Sequence, residues 1–268
     1  MRVTPHESLH RRSASFDGIA TAWLDEGQGQ AIVALHGIPT SSSLFEPLLP
    51  HLDGFRLIAP DLLGQGFTEV PAVGPLDHAA YARHLEAFLR EVPPASFHLM
   101  VHDLGGVLGL EWAADNSERV RSLVILSTTV TWTFRVGVLI YGSNLLLGSR
   151  LLTRVLPAML KSGERLDDSL KELWAAPWTR RRLLRGRDHF ARRHLRRLRS
   201  KLGDIRSPSL LIWGEKDDVF PLDHAGAIRR RLPQARLVAL PRCGHWSPLD
   251  ATEEVGTLAS EFFTTARP

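Results

Sequence analysis

Short apolar, β-branched runs alternate with helical patterns along most of the chain. Ala31–Leu35, Phe55–Ala59, Phe97–Val101, Ser122–Leu126, Ser209–Trp213 and Arg236–Leu240 read as strands. Helical patterns fall between and after them, at Asp77–Glu91, Gly105–Asn116, Leu222–Arg231 and Thr252–Phe263. This alternation predicts an α/β fold with parallel strands joined by crossover helices. An earlier pair, Ser13–Phe16 and Ile19–Asp25 around Asp17-Gly18, predicts a hairpin at the sheet edge. One interval breaks the rhythm. From Thr129 to Lys201 the pattern is helical without a convincing strand, and it is too long for a plain crossover. The expected organisation is therefore a core in two parts, 1–128 and 202–268, with a helical cap at 129–201.

Composition narrows the picture. An apolar share of 44% and a charged share of 23% over 268 residues are those of an ordinary globular chain. No stretch approaches the ~20 uncharged apolar residues that cross a bilayer. The opening MRVTPHESLHRR has no apolar segment of the secretory kind, so a cytoplasmic protein is expected, without a membrane partner. Charge is unevenly placed. Residues 180–201 hold ten Arg, one Lys and one Asp against a total of only +4, so the rest of the chain is net acidic. Leu183, Leu184, Phe190, Leu195, Leu198 and Leu202 recur there at helical spacing, which favours amphipathic helices with solvated arginine faces over a nucleic-acid site. The single cysteine, Cys243, has no partner for an internal disulfide and reads as a small buried residue.

The strongest chemical signal is Val101-His102-Asp103-Leu104-Gly105-Gly106, at the junction of a strand and a helix. Small residues after Asp103 suit a tight strand-to-helix turn that lifts its side chain above the sheet, the nucleophile elbow. Serine is the usual occupant. A carboxylate, with a reference pKa of about 3.9, is ionised at neutral pH without a base. Its attack on a carbonyl would give an anhydride, whereas attack on a saturated carbon gives an alkyl ester that water can cleave. An Asp elbow therefore points to substitution at an sp³ carbon, with a histidine activating the water. The plainer alternative is that Asp103 only caps the helix.

Leu35-His36-Gly37-Ile38-Pro39 follows an earlier strand and can aim the Ile38 N–H at the site beside that of Leu104. Two such donors would hold an oxyanion. Trp213-Gly214-Glu215-Lys216-Asp217-Asp218 and Cys243-Gly244-His245-Trp246 each follow a later strand, where loops gather at the carboxyl edge of a parallel sheet. Asp217 would orient His245 and stabilise its protonated form. His6 and His10 match a zinc spacing but precede a strand, and His98 and His102 lie along a strand, about 13 Å apart by that spacing. No metal is expected.

Together HGIPTSS, APDLLGQG, VHDLGG, WGEKDDVFP and GHW resemble the α/β-hydrolase superfamily over nearly the whole chain outside the insertion. The order nucleophile, acid, histidine is the same. Within it, the HD elbow is similar to the epoxide hydrolase and haloalkane dehalogenase branch, although Val101 stands where the usual elbow has glycine. The resemblance implies a mostly parallel sheet flanked by helices, a helical cap, no cofactor and an alkyl-enzyme ester; a small-molecule substrate and a monomer or homodimer are expected. It carries over to Asp103, Asp217 and His245, with the Ile38 and Leu104 backbones as oxyanion hole. The dehalogenases place a Trp after the nucleophile and often an Asn between HG and P, where this chain has Leu104 and Ile38. The epoxide hydrolases use two cap tyrosines; here Tyr141 alone falls in the insertion. Epoxide opening with Tyr141 as acid is thus favoured over dehalogenation, a non-catalytic receptor being the alternative of another class. Trp132, Trp174, Trp178 and Trp246 are candidates for the pocket lining.

Overall fold

The computed structural model describes residues 11–38, 40–71, 76–132 and 191–266. Tyr141, Trp174, Trp178, Phe190, His6, His10 and most of the interval expected to form the cap lie outside them. Among the described residues eight strands form one sheet: β1 Arg11–Phe16, β2 Ile19–Gly27, β3 Gln30–Leu35, β4 Phe55–Pro60, β5 Phe97–His102, β6 Val120–Leu126, β7 Ser209–Gly214 and β8 Arg236–Leu240. Their order is β1-β2-β4-β3-β5-β6-β7-β8, with β1 and β2 antiparallel and β3 to β8 parallel. The expected hairpin is present. Asp17 and Gly18 both take positive φ, 49° and 75°, which gives a two-residue turn whose twist matches the flanking strands.

Each central strand is apolar on both sides, because helices cover both faces of the sheet. Val33, Leu35, Leu99, Val101, Leu123, Ile125 and Leu211 point into one core. Ile32, Ala34, Met100, Val124, Leu126, Leu210 and Ile212 point into the other. The first is covered by α1 His78–Glu91, α2 Leu104–Asp115 and α3 Arg192–Lys201. The second is closed by the last helix, α6 Thr252–Thr265, and a 3₁₀ helix, Ser42–His51, that the pattern did not predict. Pro47 and Pro50 make that stretch read as a loop, yet Leu44, Phe45 and Leu48 bury fully and hold it in place. The helix α4 Asp223–Arg229 stops short of the expected Arg231, since Pro233 disfavours helical geometry at Leu232. A single turn, α5 Ser247–Asp250, precedes α6.

The end of the arginine-rich stretch is an amphipathic helix. Leu195 and Leu198 of α3 are buried in the first core, against α2. Its basic residues face outward, Arg197 pairing with Glu111 at 2.9 Å and Lys201 with Asp115 at 2.7 Å. This helix, inside the interval expected to be cap, packs as part of the sheet's own covering layer.

Candidate active site

Between β5 and α2 the chain turns on a single residue, Asp103, with φ 51° and ψ −118°. A non-glycine residue held there carries about 1–3 kcal/mol of backbone strain. The surroundings hold it. Its N–H donates to Ser127 O at 3.1 Å, and its carbonyl accepts from Thr128 Oγ1 at 2.6 Å and Gly106 N–H at 3.0 Å. A Cβ on Gly105 would run into the carbonyls of Leu35 and His36, so the turn fits against β3 only with glycine there. Val101, in place of the usual first glycine, finds its room elsewhere. A Cβ on Gly109 of α2 would lie 2.7 Å from Val101 Cγ1, so that glycine supplies the space the elbow lacks.

The Asp103 side chain makes no capping bond to α2. Its carboxylate turns towards the loop after β3, where Oδ1 accepts the Ile38 N–H at 2.8 Å. A side chain on Gly37 would occupy the place of that carboxylate. The loop is fixed from below by His36. Its buried ring joins Gly37 O through Nδ1 at 2.8 Å and accepts Leu62 N–H on Nε2 at 2.9 Å, the pattern of a neutral imidazole with its proton on Nδ1. Gly37 O also accepts the Thr40 N–H and hydroxyl, at 3.1 and 2.9 Å.

His245 arrives from the loop after β8. Its Nε2 lies 3.7 Å from Asp103 Oδ2, an ionic contact too long for a hydrogen bond, and its Nδ1 lies 3.1 Å from Asp217 Oδ2. Asp217 is buried and its other oxygen, Oδ1, accepts the N–H groups of Val219 and Phe220 at 2.9 and 2.8 Å; Asp218 is exposed. All three groups are withdrawn from water, yet all three favour the charged form. Burial works to lower the pKa of His245, but the charges of Asp217 and Asp103 outweigh it and push the imidazole up to about 10. Burial works to raise both carboxylates, and the positive charge of His245 between them holds each below its ordinary range.

The structure thus brings Ile38, Asp103, Asp217 and His245 together from four loops at one edge of the sheet. Leu104 opens α2 beside them and is wholly buried. Trp246 packs in the second core, its ring 5.0 Å from that of His245. Trp132 is half-buried against the first core, with the Arg192 guanidinium 3.8 Å over its ring, so its face is already taken by a cation. Cys243 is buried, and burial pushes its thiol up to about 11, far from a reactive thiolate.

Several contributors were not singled out from the sequence. His36 and His102 stand in the sequence only as motif letters or a rejected ligand pair, and Thr128 falls in none of the motifs. Asp61 was quoted only within APDLLGQG; its carboxylate accepts Ser42 N–H at 2.7 Å and Phe67 N–H at 2.8 Å, tying the loop after β4 to the loop that carries Ile38. A buried polar residue in an otherwise apolar strand end was the available signal in each case. His98 bonds Ser122 Oγ and Gln30 Oε1, both at 2.8 Å, and His102 turns to His245 instead, so the two share no site.

The comparisons with known proteins agree with this geometry at the level of the fold. A cis-3-alkyl-4-alkyloxetan-2-one decarboxylase of Shewanella oneidensis is 28% identical, covering 95% of this chain and 88% of its own. A 2-hydroxymuconate semialdehyde hydrolase of Pseudomonas putida is 27% identical over 93% of this chain and 92% of its own. The solved 2-hydroxy-6-oxo-6-phenylhexa-2,4-dienoate hydrolase of a Rhodococcus strain superposes with a TM-score of 0.81 at 20% identity, covering 96% of this chain and all of that one. The family model of the α/β-hydrolase fold matches residues 30–252, and the chain belongs to that family.

Proposed function

We propose that this hydrolase-fold enzyme opens a strained oxygen ring at a saturated carbon, with Asp103 as nucleophile. One observation carries the reading: the elbow holds a carboxylate whose two oxygens face different partners, the Ile38 N–H and the imidazole of His245. Asp103 Oδ2 attacks the ring carbon, the ring C–O bond breaks, and an alkyl ester forms with Oδ1 as its carbonyl oxygen. The attack removes the negative charge of Asp103, and with it one of the two carboxylates that keep His245 protonated. His245 then gives up its proton more readily, to solvent, and acts as base when the ester needs water. It takes a proton from water, the hydroxide adds to Cγ, and the developing charge on Oδ1 falls at the Ile38 and Leu104 backbones. The Cγ–Oδ2 bond breaks, the product leaves with Oδ2 and takes the proton from His245, and the carboxylic acid left on Asp103 passes its own proton to His245, which restores the resting charges. Asp217 holds the imidazole in the required tautomer throughout. A helical cap, drawn from the interval between Trp132 and the helix at Arg192–Lys201, shapes the pocket above the site, around a small-molecule substrate, and no cofactor takes part.

An epoxide fits these steps, with Tyr141 of the cap as acid for the alkoxide. A four-membered lactone is the second reading, favoured by the oxetan-2-one in the name of the Shewanella relative. Attack at the saturated ring carbon that bears the lactone oxygen expels a carboxylate, which needs neither an acid nor a halide-type donor. That suits a site with Ile38 and Leu104 at positions without side-chain donors. The bond between the carboxylate and its neighbouring carbon can then break, its electron pair forming the alkene while the ester C–O bond releases Asp103. Carbon dioxide and an alkene leave, and no water is consumed.

The test is His245→Gln, which spares attack by Asp103 and blocks water activation. The variant is incubated with epoxides, dialkyl oxetan-2-ones and bromoalkanes, and its intact mass recorded. An adduct of a whole epoxide mapped to Asp103, or release of alkene and carbon dioxide from the lactone, supports ring opening. An alkyl adduct lacking its halogen redirects the reading to dehalogenation. Neither adduct nor turnover with any of them sinks it and leaves a ligand-binding role.

A further inference from the structure

The residue before the nucleophile belongs to neither the nucleophile nor the charge system described above, yet it touches both. His102 ends β5, is fully buried, and lies 143 residues from His245 along the chain. Its Nε2 lies 3.0 Å from the main-chain oxygen of His245, and the two rings sit 4.8 Å apart between centroids. The ring also packs at 5.3 Å against Trp246, which itself lies 5.0 Å from the ring of His245. A carbonyl can only accept, so Nε2 carries the proton and donates it. The other ring nitrogen, Nδ1, is buried and has no hydrogen-bond partner among the described residues. Among the described residues the polar contribution of this side chain is therefore one bond, and that bond ends on the loop that carries His245.

We infer that His102 is a positioning residue for the step that clears the Asp103 ester: its bond to the His245 carbonyl fixes the histidine loop to the elbow strand. This rests on the reading of Asp103 as nucleophile. Attack by Asp103 needs only the elbow, which is held by Ser127, Thr128 and Gly106. Water activation needs the imidazole at a set height over Cγ of the ester. The side-chain bond from Nδ1 to Asp217 leaves the ring free to tilt about it, and the His102 bond holds the backbone from which the ring hangs. Burial keeps His102 neutral, with its pKa lowered to about 4, so it adds no charge to repel the protonated His245.

The test compares two substitutions. In His102→Gln the new amide reaches the place of Nε2 and keeps the donor. In His102→Asn the shorter amide ends near the place of Nδ1 and cannot reach the carbonyl. During turnover of a substrate that esterifies His245→Gln, intact mass gives the fraction of enzyme held as ester. His102→Asn is expected to esterify at the wild-type rate and to clear its ester about 10- to 100-fold more slowly, the scale of an ångström-sized misplacement. His102→Gln should restore clearance to within about threefold of wild type, since it keeps the one hydrogen bond at issue. Should the Asn variant fail to fold, His102→Met fills the space without a donor and takes its place. Clearance at the wild-type rate without the donor, or equal slowing in the Gln variant, overturns the inference while the nucleophile stands. No ester on His245→Gln with any electrophile overturns both.

Discussion

The Ile38 N–H donates a 2.8 Å hydrogen bond to Oδ1 of Asp103, so the expected oxyanion donor is already engaged by the proposed nucleophile itself. In a serine enzyme such a donor faces an oxygen of the substrate. Here the oxygen that would carry the charge during ester cleavage belongs to the enzyme, and the donor can hold it from the resting state onward. That is preorganisation without a reorganisation step, and it is the kind of electrostatic aid that is worth most in a buried site.

Gly37→Ala tests this relationship. The added methyl would occupy the place of the Asp103 carboxylate, which must leave the Ile38 N–H. Steady-state turnover should fall by about 10²-fold or more, because the proposed nucleophile is displaced by an ångström or so. Thermal unfolding should show a loss of about 1–3 kcal/mol from overpacking. Unchanged turnover would mean that the bond has no part in the chemistry.

His245 offers a test by titration. Its imidazole is pushed up to about 10 by Asp217 and Asp103 together, against an ordinary value near 6.5. In Asp103→Asn one carboxylate becomes neutral, as it does in the ester, and the midpoint of His245 should fall. NMR titration of the labelled ring measures both proteins. The sign for stability follows from the raised pKa: the contribution is complete below the unfolded value and is lost as pH rises through about 10. The wild-type protein should lose more of its stability than Asp103→Asn across that alkaline window. Equal midpoints in the two proteins would remove the argument that ester formation releases the base.

Asp217→Asn keeps an oxygen for the Val219 and Phe220 N–H groups, so the loop should stay folded. Its amide N–H₂ then faces His245 Nδ1 and demands the wrong tautomer. Turnover limited by ester cleavage should drop by about 10⁴-fold, with esterified enzyme accumulating. Intact mass during turnover reads this directly; a variant that is slow but carries no ester would place Asp217 in the first step instead.

The arginine-rich helix is held by its leucines. Leu198 is fully buried against α2, and Leu198→Ala should destabilise the protein by about 2–5 kcal/mol. Arg197→Ala breaks an ion pair to Glu111 whose arginine is 63% exposed, and should change stability by less than about 1 kcal/mol. Denaturant unfolding of the two variants compares them. The opposite order would mean that charge, and not apolar packing, fastens this segment to the core.

Much of this architecture is encoded by local chemistry and is legible in the linear chain. The six parallel strands could be read there because a strand covered on both faces becomes a run of apolar residues, and each run ends within two residues of its strand in the structure. Asp103 was legible because a turn that passes close to other backbone needs the small residues that follow it. Other decisions belong to residues far apart in the chain. The 3₁₀ helix at Ser42–His51 exists because Leu44, Phe45 and Leu48 find a core to enter, against the sense of its two prolines. Val101 is tolerated at the elbow because Gly109, on the next helix, leaves it room. Asp217 is buried against His245 while its neighbour Asp218 faces solvent, a choice fixed by the direction of one loop. His102 meets the carbonyl of His245 only once β5 and the loop after β8 stand at the same edge of the sheet. Apolar periodicity is a property of neighbouring residues and survives in a linear reading. Hydrogen bonds between buried polar groups depend on which distant atoms desolvation forces together, and only the packed sheet decides that.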